Sequence, residues 1–190
     1  MLFAGLSFAV AAGEALVVTG ANGSGKTSLL RTIAGLLPAT EGDVRIEGSD
    51  AGKPVCEHCH YFGHRNAVKS ALTVAENASF WASYLGGGDA AVERALNTFG
   101  LASLRDIPAG YLSAGQQRRL GLTRLLLGER PVWLLDEPTA SLDDASQAAL
   151  MTAVNGHLQQ GGIALAATHT PLALQNARTL ALQTTAASAA

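Results

Sequence analysis

Positive charge is scarce at the start of the chain: no Lys or Arg precedes Lys26. The apolar stretch 1–18, broken by Ser7 and Glu14, therefore lacks the basic flank of an export signal. It is too short to span a membrane, and no later run reaches about 18 uninterrupted apolar residues. Charged residues make up 15% of the chain and the formal net charge is −2. A nucleic-acid surface needs a clustered basic excess, so no nucleic-acid partner is expected. Two cysteines in 190 residues exclude a disulfide scaffold and suit an intracellular protein. Aromatics are only 5%, and glutamine is missing until Gln116.

What is abundant is apolar aliphatic sequence. Hydrophobic residues are 48% of the chain, enough for one domain over residues 1–190 with a real core. Residues 6–10 and 15–19 read as strands around a turn at Gly13. Residues 43–47 alternate like a strand, and 61–63 form a short one. Helical spacing runs over 26–37, up to Pro38, and over 73–85, 90–99, 114–127 and 144–159. Residues 132–135 and 163–168 read as buried strands. Strands alternating with helices predict an α/β fold with a mainly parallel sheet. Residues 73–127 form a helical subdomain, a short antiparallel sheet lies at the N-terminus, and the tail 183–190 frays.

GANGSGKT fills residues 20–27 between an apolar strand and a helix. It matches G-x-x-x-x-G-K-[ST] at every fixed position. The glycines let backbone N–H groups turn toward phosphate, and the helix start favours an anion. Gly20, Ala21, Asn22, Gly23, Ser24, Gly25, Lys26, Thr27 and Ser28 are the candidate phosphate-binding residues. Lys26 would reach the β- and γ-phosphates of ATP, and the Thr27 hydroxyl would hold Mg²⁺. Further on, PVWLLDEPTASLD at 131–143 drives four apolar residues into Asp136 and Glu137. Carboxylates at the carboxyl end of a buried strand sit where α/β sheets bind ligands. Asp136 is the second candidate for Mg²⁺, and Glu137 the candidate to polarise an attacking water.

LSAGQ at 112–116 precedes this acidic strand, SLD at 141–143 follows it, and His169 ends the strand 163–168. Together these motifs resemble the signature, D-loop and switch histidine of the ATP-binding domains of ABC transporters, across almost the whole chain. In its own right Ser113 is an N-cap, with Gln116 three residues on as a capping box. The resemblance implies a P-loop NTPase fold of ABC type with ATPase activity, Mg²⁺ as cofactor and a homodimer in the ATP-bound state. Ser113, Ala114, Gly115, Gln116 and Asp143 of one copy would complete the nucleotide site of the other, and His169 would contact the γ-phosphate.

The stretch HYFGHRNAVKSALTVAENASFW at 60–81 resembles the ATP-binding subunits of cytochrome c biogenesis haem exporters. That implies a peripheral protein on the cytoplasmic face of the bacterial inner membrane. Its partners would be the integral membrane subunit CcmB, with CcmC, CcmD and the haem chaperone CcmE. Haem is touched only indirectly, and ATP drives either haem movement or release of the loaded chaperone. Another small ABC exporter, or a soluble ABC ATPase acting on nucleic acid or the ribosome, is the alternative.

Two departures stand out. The glutamine that follows the third strand in most of the family is replaced by Arg65, or by His64 in the other register. An Arg cannot ligate Mg²⁺. Lys26 also comes early, leaving only Phe3 and Phe8 as rings for an adenine, so a start upstream of Met1 is expected. CEHCH at 56–60 matches C-x-x-C-H, but no ligand is expected on Cys56, Cys59 or His60, because covalent haem attachment occurs outside the cytoplasm.

Overall fold

The apolar run VWLL, closed by Asp136, forms a strand inside the sheet. The structure is a computed structural model that describes residue 3 and residues 5–48 and 52–182. Its strands are β1 (Ala15–Thr19), β2 (Cys59–Phe62), β3 (Val132–Asp136), β4 (Ile163–Ala167) and β5 (Ala177–Ala181). They lie in the order β2-β3-β4-β1-β5. β1 pairs in parallel with β4 and β5, and β3 in parallel with β4. Every residue of β3 is buried, as a strand covered on both faces must be. The α-helices among the described residues are α1 (Lys26–Ile33), α2 (Val74–Leu85), α3 (Asp89–Thr98), α4 (Ala114–Leu122) and α5 (Asp144–Gln159).

The chain divides into two compact units. The first is drawn from Met1–Tyr61, Pro131–Pro138 and Asn155–Ala190, the second from Phe62–Arg130 and Thr139–Val154.

In the first unit Leu29, Leu30 and Ile33 of α1 join Leu16, Val18, Val132, Leu134 and Leu165 in one buried cluster. α1 stops four residues before the expected end at 37. Gly35 adopts φ 70°, and the Leu36 N–H donates back to Arg31 O at 2.8 Å. That left-handed cap closes the helix before Pro38 can. The expected strands at 6–10 and 43–47, and with them the short antiparallel sheet, are not formed. Leu6, Val10, Val44 and Ile46 nevertheless pack against the α1 cluster. The alternation at 43–47 marks the face that is buried, while two short segments make at best a marginal ladder. β5 was not anticipated. Four of its five residues are exposed, so an edge strand carries no apolar pattern to read. The tail 183–190 lies outside the described residues.

The second unit is mostly helical, around Phe62, Val74, Phe99, Leu101, Leu122 and Leu150. Thr73 caps α2 through a full capping box with Glu76, as a Thr three residues before a Glu should. Glu76 accepts the Thr73 N–H at 2.7 Å, and these bonds hold its carboxyl below the usual range. Asn77, buried, accepts from Lys69 N at 2.8 Å and donates to Lys69 O, Leu72 O and Thr73 O. That fastens the turn ahead of α2. α4 gives way at Thr123 to a 3₁₀ turn, Thr123–Leu126, instead of running on to 127. Thr123 Oγ1 donates to Leu120 O at 2.6 Å and Arg124 Nε to Gly121 O at 3.1 Å, so side chains compete for helical carbonyls.

Candidate active site

The loop after β1 is shaped by glycine. Gly20 has φ 145°, and a Cβ there would stand 2.6 Å from Leu182 O and 2.7 Å from Ser24 Oγ. Gly25, at φ 99°, caps α1 without a side chain, a conformation glycine adopts at no steric cost. Ala21, Asn22 and Gly23 are exposed, Ser24, Gly25 and Lys26 buried, and Thr27 and Ser28 half-buried. Ser24 Oγ is buried without a hydrogen-bond partner. Lys26 Nζ donates to Gly20 O at 2.8 Å and Ala21 O at 3.1 Å. An unsatisfied hydroxyl, an ammonium and a glycine-capped helix start within one turn fit an anion such as phosphate.

Asp136, at the end of β3, is 1% exposed. Its Oδ1 accepts the Thr27 hydroxyl at 3.0 Å. Its Oδ2 accepts the Tyr61 hydroxyl at 3.3 Å, and Arg31 Nε donates to that same Tyr61 oxygen at 3.3 Å. Burial first, and the Asp136 carboxylate after it, raise the Tyr61 pKa above its ordinary value. The phenol stays protonated and can donate. The Tyr61 hydrogen bond, above all, raises the Arg31 pKa. Hard oxygen donors from Thr27 and Asp136 side by side suit Mg²⁺.

The next residue, Glu137, has φ 48°, a left-handed conformation uncommon outside glycine and concentrated at functional sites. Its N–H donates to Ala167 O at 2.8 Å, and its Oε1 lies 2.8 Å from His169 Nδ1. The Glu137 side chain is 17% exposed and His169 67%. Thr168 Oγ1 accepts from Thr170 N at 3.0 Å, turning the chain at His169. A carboxylate oriented by an imidazole at a strand end can accept a proton from water.

In the second unit Ser113 Oγ accepts from Gln116 N at 3.2 Å, and Gln116 Oε1 accepts from Ser113 N at 2.8 Å. The capping box is complete, and Ala114 and Gly115 are the first helical residues of α4. Asp143 Oδ1 accepts from Ser146 N at 2.8 Å, which caps α5; the Ser146 hydroxyl first, and this backbone bond after it, hold the Asp143 carboxyl below the usual range. Ser141 has φ 63°. His64 and Arg65 are exposed. Their loop is held by Arg118 of α4, which donates to Gly63 O at 2.8 Å and Asn66 Oδ1 at 3.1 Å. The Arg118 guanidinium also lies 4.2 Å from the Phe62 ring centre.

The structure joins Thr27 with Asp136 and Glu137 with His169. Phe3 packs against the α1 cluster, and Phe8 is 37% exposed. Cys56 is exposed and Cys59 half-buried. His60 is buried, edge-on to Trp133 at 6.4 Å. Sequence reasoning missed Tyr61. The available signal was Thr27 and Arg31, one turn apart on the same face of α1.

Known proteins resemble this chain over most of its length. The family model described as ABC transporter matches residues 3–140. The cytochrome c biogenesis ATP-binding export protein CcmA of Nitrobacter winogradskyi is 54% identical over 91% of this chain and 86% of its own length. The protein of the same name from Mesorhizobium japonicum is 52% identical over 93% and 88%. Among solved structures, an ATP-binding subunit of an ABC transporter superposes with a TM-score of 0.74 at 27% identity, covering 85% of this chain and 71% of that one. A Pyrococcus furiosus protein described as an ABC transporter ATP-binding protein reaches 0.78 at 24% identity, over 91% and 86%, a likeness of fold. With its phosphate loop and acidic strand end in place, the chain belongs to the ABC transporter family.

Proposed function

We propose that the protein is the ATP-hydrolysing subunit of an exporter serving cytochrome c maturation, formed by residues 1–190 as one ABC ATPase domain. The observation that carries the ATPase reading is the 2.8 Å contact between Glu137 and His169, next in sequence to Asp136 and its bond to Thr27. The names of the relatives, at above half identity, carry the biological setting.

Residues 20–28 hold the phosphates of ATP, with Lys26 as the cation. Thr27 and Asp136 would hold Mg²⁺, which neutralises charge developing on the phosphate oxygens. Glu137 orients the attacking water and takes its proton, and His169 keeps that carboxylate aimed while meeting the γ-phosphate. Ser113, Ala114, Gly115, Gln116 and Asp143 act on the nucleotide of a second copy, in a head-to-tail homodimer. A capped helix start still directs its first N–H groups outward.

No helix among the described residues is long and apolar enough to cross a membrane. In this reading, which the names of the relatives support, attachment to the cytoplasmic face of the inner membrane runs through an integral subunit, CcmB, in company with CcmC, CcmD and CcmE. Glu137→Gln tests the enzyme. ATP binding persists while steady-state phosphate release falls by about a hundredfold or more. Normal turnover in that variant removes Glu137 from its role. Co-purification of the wild type with CcmB from solubilised membranes tests the setting.

A further inference from the structure

The Asp136 carboxylate is held at both oxygens, and only one of the two donors belongs to the phosphate loop. Thr27 donates to Oδ1 at 3.0 Å and Tyr61 to Oδ2 at 3.3 Å. The arrangement is closed by α1. Thr27 and Arg31 stand four residues apart, so both side chains leave the same face of that helix. The first engages Asp136, and the second donates to the Tyr61 oxygen at 3.3 Å. Tyr61 lies on β2, next to β3 in the sheet. A helix and two neighbouring strands thus meet around one buried carboxylate. Since Arg31 is the donor to the phenol oxygen, the phenol's own proton is left to point at Asp136.

We propose that Tyr61 is a positioning residue of the metal site, fixing Oδ2 of Asp136 so that Oδ1 stays beside the Thr27 hydroxyl. The inference rests on the reading of Asp136 and Thr27 as the Mg²⁺-holding pair. A carboxylate with one oxygen free rotates about its terminal torsion, which is broad and roughly two-fold. With both oxygens bonded it keeps one orientation. Hydrogen bonds of this kind behind a metal-holding group change metal affinity by about 10- to 100-fold. Tyr61 also contributes to packing against the α1 cluster, so the test must keep the ring and remove only the hydroxyl.

Tyr61→Phe does that. The measurement is ATP binding by the full chain, titrated with Mg²⁺, beside ATP binding with the metal chelated. The midpoint of the Mg²⁺ titration is expected to rise by about tenfold or more, with metal-free ATP affinity unchanged. A midpoint that does not move overturns the proposal. So does an equal loss of metal-free ATP affinity, which would assign the hydroxyl to the fold. Asp136→Asn is the reference. If it leaves the midpoint at the wild-type value, the reading of Asp136 itself has failed. If it shifts the midpoint while Tyr61→Phe does not, only the role of Tyr61 falls.

Discussion

The two compact units differ in how their motif residues find partners, although Arg118 of the second also reaches far, to Gly63 and Asn66. In the first, the residues that matter reach far along the chain. Thr27 finds Asp136 across 109 positions, and Tyr61 finds it across 75. In the second, Thr73 with Glu76, Ser113 with Gln116 and Asp143 with Ser146 all close within three residues. Long-range pairs form only once the sheet is assembled, so they test the fold. Local caps can form wherever a helix starts, and they leave outward-facing N–H groups available for recognition.

That contrast can be broken or sharpened by substitution. The largest effect is expected where a long-range pair carries chemistry. His169→Ala removes the partner of Glu137, and phosphate release at saturating ATP is expected to drop about a hundredfold with ATP affinity retained. Turnover at the wild-type level would reduce the pair to a surface contact.

The caps come next. Thr73→Ala and Ser113→Ala each remove an N-cap and are expected to cost about 1 kcal/mol of stability, read from denaturant midpoints. Turnover separates them. Thr73→Ala leaves the rate per folded molecule intact, whereas Ser113→Ala lowers it. Equal rates would mean that the start of α4 is only a helix start.

The smallest effect is a pH dependence in the first unit. His157 stacks on Trp133 with centroids 4.1 Å apart and planes 9° from parallel. Burial, partly opposed by the carbonyls of Ile163 and Pro131, holds its pKa below the usual value. The unfolded chain takes up that proton near pH 6.5, before the native state does. Stability is therefore full above about pH 6.5 and falls as pH drops from there to the lower native pKa. The melting temperature should decline over that interval in the wild type and decline less in His157→Phe. Identical pH profiles would show that the stack bears no proton penalty.

Legibility in the sequence follows the same division. The phosphate loop, the acidic strand end and the capping box at Ser113 were readable because each is a run of adjacent residues with one chemical logic. α5 was placed at its observed ends because an acidic start and a long unbroken pattern mark it. The strands expected at 6–10 and 43–47 failed because an apolar or alternating stretch reports which side chains are buried and cannot supply a backbone partner. β5 failed for the converse reason, since its partner β1 is present while its own side chains face solvent. Tyr61 stayed hidden because nothing in CHYF shows that its hydroxyl will meet a carboxylate from another strand.

Arg118 gives the loop at 63–66 a mechanical property. The guanidinium sits five residues beyond Ser113 on the same helix, about 7.5 Å along its axis at 1.5 Å per residue. Its grip on Gly63 O and Asn66 Oδ1 cannot be released without stranding the buried Gly63 carbonyl. The loop that displays Arg65 therefore has little slack of its own. Moving that loop therefore means moving α4 with it, the helix whose N-cap is Ser113.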